Sequence, residues 1–365
     1  MFVFVWALFV LAVCCYLLFI ISEPLERVGG RLGRFVRLPE DVIGSTFQAM
    51  ATSGPEICLA ILAATAFVAQ DTWRGLGLEE KASSGCLNMC FSAMHNLIGI
   101  GCAGIIYMLV KKSVRPDQAI EISPSSKIGL IFYTVSSACL AGFILDKQLT
   151  PWESWVLMII GILFVVCQFL VPGFVRRRAA SQGNTDRSGK YDDTDGEDDR
   201  SLPRTAGGAR WDFARDAFVY VALVYALVIL VRECLDATFD LASMGVASVG
   251  GVLILFTSYV SSFPEFMLAY RYAKSVKKGA LLGMLFGSNV VDLSFAGFRA
   301  IWLREPMVVE TTGRHAELLP FYIWALPAVA FLALAGLWMG KVKFGHAYFL
   351  LAFYAVYVIS GFVLL

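Results

Sequence analysis

Apolar runs of about twenty residues, long enough to cross the hydrocarbon core of a bilayer, recur ten times along this chain. They fall at about Phe2 to Ile21, Val42 to Ala69, Gly85 to Val110, Ile128 to Leu145 and Trp155 to Phe174. The second set falls at about Phe213 to Val231, 249 to Tyr272, Ala280 to Ile301, Leu319 to Met339 and Tyr348 to Leu365. With 58% hydrophobic and 16% charged residues, the chain is too apolar for an ordinary soluble domain. It reads as an all-α polytopic membrane protein with ten transmembrane helices. The first run has no basic segment before it, so it reads as a true span rather than a signal peptide. The net charge of +1 points to no particular partner. The expected surroundings are the lipid bilayer, with no nucleic acid.

The polar segments set the organisation. Residues 175–211 open with Arg176, Arg177 and Arg178 and continue rich in Ser, Gly, Asp and Arg. Such a segment buries too little apolar surface to fold and reads as a disordered linker. Its acidic run around Asp192 to Asp199 is no calcium loop, because Tyr191 stands where the first acidic ligand belongs. Residues 1–174 and 212–365 then form two units of five spans each. Basic clusters follow spans one (Arg27, Arg31, Arg34, Arg37), three (Lys111, Lys112, Arg115), five, seven (Arg271, Lys274, Lys277, Lys278) and nine (Lys341, Lys343). By the positive-inside rule those loops and the central linker are cytoplasmic, and both termini face the other side. The arginines of Ser22 to Asp41 are spaced for one polar helix face at a membrane surface. The nine cysteines lie mostly within apolar runs and suggest no disulfide framework. Cys86 and Cys90 share a helix face but lack His or acid neighbours at ligand spacing, so no metal site is expected there.

Two units of five spans joined by a cytoplasmic linker enter the membrane from opposite sides. Such inverted repeats place a substrate at the midplane, on interrupted helices from corresponding spans. The sequence carries that signature. Ala51-Thr52-Ser53-Gly54-Pro55-Glu56 in span two answers Val260-Ser261-Ser262-Phe263-Pro264-Glu265 in span seven. Ser92-Ala93-Met94-His95-Asn96 in span three answers Ser288-Asn289-Val290-Val291-Asp292 in span eight. Each Ser lies four residues before an amide or acid, so both share a helix face.

The chemistry follows from the residue types. An acid inside a span costs about 2.5–3.5 kcal/mol on insertion scales, so Glu56, Glu265 and Asp292 mark a functional site. Proline has no N–H, so Pro55 and Pro264 free the carbonyls of Ala51 and Val260. Irregular backbone is tolerated at membrane depth only around a cavity. Added to Asn96 and the hydroxyls, these groups make an all-oxygen, anionic cage suited to hard cations such as calcium and sodium. His95 points about 100° away from Asn96 around the helix and reads as a packed histidine.

These motifs resemble the α-repeats of the sodium/calcium exchanger superfamily of cation antiporters, whose pattern is roughly Gly-Thr-Ser-x-Pro-Glu/Asp followed by Gly-Ser-x-x-x-Asn/Asp. The run Gly287-Ser288-Asn289-Val290-Val291-Asp292 is most similar to the sodium/calcium and potassium-dependent sodium/calcium exchangers. The resemblance implies that Glu56 and Glu265 are central calcium ligands shared with sodium, and that Thr52 and Ser261 offer carbonyls. It further implies that Ser53, Ser92, Ser262 and Ser288 complete sodium sites, and that Asn96 and Asp292 lie mid-cage. Alternating access would come from spans one and six sliding against the rest. The chain departs from the pattern at Ala51 and Val260, at Phe91 in place of a glycine, at His95, and in spacing. Glu56 and Asn96 are 40 positions apart, Glu265 and Asp292 only 27.

The expectation is therefore a calcium/sodium antiporter, with potassium a candidate third ion, no cofactor and no enzymatic activity. A plasma membrane is expected before an organelle membrane. The alternatives are a proton-coupled exchanger of the same fold and a transport-inactive membrane scaffold or sensor.

Overall fold

The computed structural model describes residues 2–36, 38–54, 56–57, 60–61, 78–96, 120–121, 123–181, 206–243, 258–275, 277–309, 323–331, 341–342, 351–356 and 359. Helices dominate. They are α1 (Phe2–Phe35), α2 (Glu40–Ile43), α3 (Ala49–Thr52), α4 (Leu78–Met94), α5 (Pro124–Phe143) and α6 (Pro151–Ser181) in the first half. In the second are α7 (Ala206–Ser243), α8 (Ser258–Ser261), α9 (Phe263–Lys274), α10 (Lys278–Phe295) and α11 (Phe298–Leu303). A π-helical turn, Gly44–Gln48, joins α2 to α3. Residues 323–331 and 351–356 are also helical. Helical residues fall within all ten expected runs, although parts of spans two, three, seven, nine and ten lie outside the described residues. So does 182–205, which holds the acidic run of the expected linker. Helix α6 extends to Ser181 and α7 begins at Ala206, so helix occupies both ends of the expected linker, 175–181 and 206–211.

Four described helical segments are long and apolar enough to cross a membrane: Pro124–Asp146, Pro151–Leu170, Trp211–Leu230 and Gly279–Leu303. The chain is an integral membrane protein. Local sequence explains where these helices start. Ser123 caps α5 by accepting the Ser126 N–H at 3.1 Å, with Pro124 in the first turn where its missing N–H costs nothing. Before α6, Thr150 and Glu153 form a reciprocal capping box. The Thr150 N–H donates to Glu153 Oε2 at 2.7 Å, and the Glu153 N–H donates to Thr150 Oγ1 at 3.3 Å.

One helix organises the rest. Helix α10 packs against α2, the π turn, α3, α4, α5, α6 and α9. The Gly279–Leu303 segment is 89% buried, against 11% for Trp211–Leu230, whose Trp211, Phe218, Val221 and Tyr225 face outward as a lipid-facing helix requires. Close approach depends on glycine. A Cβ on Gly287 would stand 2.4 Å from the Ser45 carbonyl oxygen, and one on Gly44 would stand 2.5 Å from that of Ala280. At these two points the motif helices of the two halves touch backbone to backbone.

Helix α1 packs along α7, with Leu18, Leu25, Ala51 and Leu227 in a small core. The arginine-rich segment after Ile21 is helical, with Arg27 and Arg34 exposed. It continues α1 through Pro24 to Phe35. Leu25, Val28 and Leu32 are buried, while Arg31 makes a two-pronged ion pair with Asp216 of α7 at 2.7 and 3.1 Å. Leu25 shares the small core with Leu227 of α7. Arg271 of α9 ties α1 from the other side, with Glu23 at 3.1 Å, Ser22 at 3.2 Å and the Phe19 ring beneath its guanidinium.

Two small antiparallel pairings join distant loops. Strand β1 (Ile120–Glu121) pairs with β4 (Lys341–Val342), and β2 (Gln148–Leu149) pairs with β3 (Met307–Val308). The first joins the loops after spans three and nine, the second those after spans four and eight.

Candidate functional site

Both motif helices break at the same place. Helix α3 ends at Thr52, and Ser53 follows with φ −75° and ψ −2°. Helix α8 ends at Ser261, and Ser262 follows with φ −81° and ψ 2°. The Ser53 N–H donates to the Ala49 carbonyl at 2.9 Å, and the Ile57 N–H to the Ser53 carbonyl at 3.0 Å. The matching bonds in the second half, Ser262 to Ser258 and Phe266 to Ser262, are 3.1 and 3.0 Å. Pro264 lies in the first turn of α9 and has no N–H to give the Val260 carbonyl. Pro55 lies outside the described residues.

The ten residues singled out by the motifs meet at this break. Ser92 donates to Glu56 Oε1 at 3.1 Å, and Ser288 donates to Glu265 Oε1 at 2.9 Å. Each of these serines is also met by a serine of the other half. Ser53 Oγ stands 2.7 Å from Ser288 Oγ, and Ser262 Oγ stands 2.7 Å from Ser92 Oγ. A hydroxyl has one proton. Those of Ser92 and Ser288 go to the carboxylates, so Ser53 and Ser262 are the donors in the serine pairs. Asn96 adds its Nδ2 to Ser288 Oγ at 3.5 Å. The Thr52 hydroxyl turns back on its own helix, to the Gln48 and Ala49 carbonyls at 3.1 and 3.2 Å. Ser261 does the same, to the Ser258 carbonyl at 3.2 Å.

All ten side chains are buried. The oxygen supply exceeds the internal demand for it. Glu56 Oε2, Glu265 Oε2, Asn96 Oδ1 and both carboxylate oxygens of Asp292 have no hydrogen-bond partner, although Ser53 faces Asp292. Glu56 feels the charges of both Glu265 and Asp292. Among the described residues no arginine, lysine or histidine pairs with these acids, and no three His, Cys, Asp or Glu side chains converge into a metal cluster. Three buried carboxylates with no basic partner among the described residues carry a desolvation cost.

His95 lies at the edge of the site and is fully engaged in packing. Its Nδ1 is 2.8 Å from the Tyr354 hydroxyl and its Nε2 is 2.8 Å from Ser258 Oγ. Its ring stacks on Tyr259 with centroids 4.0 Å apart. Phe91, where the family pattern has glycine, is buried in the main core. Two further residues join the site that the motifs do not mark. Asn88 donates its Nδ2 to Ser261 Oγ at 3.2 Å, and Asn289 donates its Nδ2 to the Ala93 carbonyl at 3.1 Å. Asn88 could have been found as the polar residue one turn before Ser92. The described cysteines Cys14, Cys86, Cys90, Cys139 and Cys167 are free thiols outside this cluster.

This arrangement defines an integral membrane protein with an oxygen-lined site between two similar helix breaks. The family model described as sodium/calcium exchanger protein matches residues 4–170. Sodium/potassium/calcium exchanger 3 of Homo sapiens is 27% identical over 162 residues, 44% of this chain and 21% of that protein. Sodium/potassium/calcium exchanger 4 of Homo sapiens is 28% identical over 159 residues, 43% of this chain and 21% of that protein. The matched region thus spans about a fifth of the length of these curated relatives. Among solved structures, the sodium-calcium exchanger NCX_Mj soaked with sodium and strontium superimposes with a TM-score of 0.67. That match covers 98% of this chain and 99% of the other at 14% identity, which shows a common fold. With sodium and calcium in the soak the TM-score is 0.65, at 15% identity. The first half of the chain is thus similar to the sodium/calcium exchanger family, and the fold as a whole is similar to that of NCX_Mj.

Proposed function

We propose that this protein is a cation antiporter that moves calcium against sodium by alternating access through the buried oxygen site. The observation that carries the reading is the matched pair of hydrogen bonds, Ser92 to Glu56 and Ser288 to Glu265, around carboxylate oxygens left without partners. Glu56 and Glu265 are the central calcium ligands, shared in turn with sodium. Backbone carbonyls of Thr52 and Ser261, side chains of Ser53, Ser92, Ser262 and Ser288, and Asn96 and Asp292 complete the donor set. The turned-back Thr52 and Ser261 hydroxyls favour ligation through their carbonyls.

The coupling follows from charge. Calcium or sodium neutralises the carboxylates, whereas the empty site leaves like charges buried together. Occupied states therefore reorient and the empty one does not. In this reading ten helices form two inverted five-helix repeats, 1–174 and 212–365, around a cytoplasmic linker, 175–211. Both termini are non-cytoplasmic, and the protein resides in the plasma membrane. Helices α1 and α7, packed along each other, move together against the rest. Potassium is a candidate co-substrate, since the relatives matched are named sodium/potassium/calcium exchangers.

The test is calcium uptake into proteoliposomes under an imposed sodium gradient, with and without potassium, and under a pH gradient alone. Sodium-driven uptake is expected. Uptake driven only by the pH gradient would establish the proton-coupled alternative, and no uptake by folded protein would establish the scaffold.

A further inference from the structure

We infer that Asn88 is an additional cation ligand, present in one half of the site only, and that the cation it serves is a monovalent alkali ion. This rests on the antiport reading and deepens it. Asn88 lies four residues before Ser92 and eight before Asn96, so the three share one face of the helix, Asn88 about 6 Å along the axis from Ser92. It is fully buried. Its amide orientation is set by its neighbour. The Ser261 hydroxyl donates its proton to the Ser258 carbonyl, which leaves Ser261 Oγ an acceptor. The group facing it at 3.2 Å is therefore the Asn88 NH2. The Asn88 carbonyl oxygen is turned away from that bond and has no partner, which for a buried amide costs about 1–3 kcal/mol.

The second half has no amide at the corresponding position; its own buried asparagine, Asn289, follows Ser288 and bonds the Ala93 carbonyl. Ser92 corresponds to Ser288 and Asn96 to Asp292, so Asn88 corresponds to Met284, which is buried in the apolar core. The extra oxygen is neutral, and its bonded neighbour is a hydroxyl. It adds a coordinating atom without adding charge, which suits a monovalent ion better than a divalent one. The shared chemistry fits sodium and potassium alike.

The experiment is a set of thermal-shift titrations of the purified full chain with sodium, potassium and calcium chlorides, choline chloride serving as control. Asn88→Met installs the residue of the opposite half. Its sodium or potassium midpoint is expected to rise about tenfold or more while the calcium midpoint rises less. Whichever monovalent arm moves identifies the ion. Unchanged monovalent midpoints, or an equal rise for all three ions, would make Asn88 a packing residue and overturn the inference. If Asn88→Met does not fold, Asn88→Asp decides. It keeps the oxygen and adds charge, so monovalent binding tightens; unchanged or weaker binding overturns the inference. Failure here leaves wild-type exchange intact, whereas a wild-type protein that responds to none of the three ions removes the antiport reading as well.

Discussion

Asn289 of α10 donates its side-chain amide to the backbone carbonyl of Ala93 in the span-three helix, 3.1 Å away, and the two residues hold the same place in their motifs. Each follows the serine that donates to its half's glutamate. The two helices therefore meet at corresponding positions, with a small residue on one side and an amide on the other. Ala93 leaves room, and Asn289 donates to its carbonyl. Asn289→Ala removes this buried bond between the two halves. Thermal unfolding in detergent is expected to show a loss of about 1–3 kcal/mol.

The glutamates are the sharpest test of the cage. Glu56 and Glu265 each use one oxygen for a serine and leave the other without a partner. Replacing either by glutamine keeps the volume and removes the charge. Glu265→Gln and Glu56→Gln are each expected to reduce sodium-driven calcium uptake to the background of protein-free liposomes. Retained uptake would take that glutamate out of the cage.

Asp292 and Asn96 correspond in sequence and differ in charge. Asn96 reaches Ser288, whereas neither oxygen of Asp292 has a hydrogen-bond partner. Asp292→Asn makes the halves alike and removes one negative charge from the site. The apparent calcium affinity in the same uptake assay should fall about tenfold or more, as for loss of a ligand interaction. Running the assay with and without potassium shows whether that charge also serves the third ion.

Two glycines separate close packing from mere presence in a helix. A Cβ at Gly287 would enter the backbone of Ser45, which cannot swing aside. Gly287→Ala should cost about 1–3 kcal/mol through overpacking. Nothing lies within 4 Å of a Cβ at Gly142. Gly142→Ala should leave stability unchanged or raise it by up to about 1 kcal/mol, the intrinsic helix preference. Size-exclusion profiles and melting curves of the two variants, taken side by side, check both.

The site was more legible in the sequence than the packing around it. Ser53, Ser92, Ser262 and Ser288 stand out because a repeated motif fixes their spacing to a proline or an acid, and the structure brings them together. Asn88 escaped because it matches an apolar methionine in the other half, so the repeat itself hid it. The joining of the arginine segment to α1 and α7 is hidden for a different reason. The arginine spacing marks a polar face, and Arg27 and Arg34 are exposed, but nothing local marks that Leu25 packs with Leu227 or that Arg31 finds Asp216 185 positions away. Partners that distant leave no local trace. The meeting of Gly287 with Ser45 was invisible for the same reason, although the family pattern already asked for glycine there.

The crossed serine pairs carry a consequence for how the molecule can be assembled. Ser53 belongs to one half and its partner Ser288 to the other, and Ser262 and Ser92 repeat the arrangement in reverse. Each half thus supplies the carboxylate and one hydroxyl of its own cluster but borrows the second hydroxyl. A gene cut within the 182–205 segment should yield two fragments that are inert alone and active when co-expressed, because neither fragment holds a finished cluster.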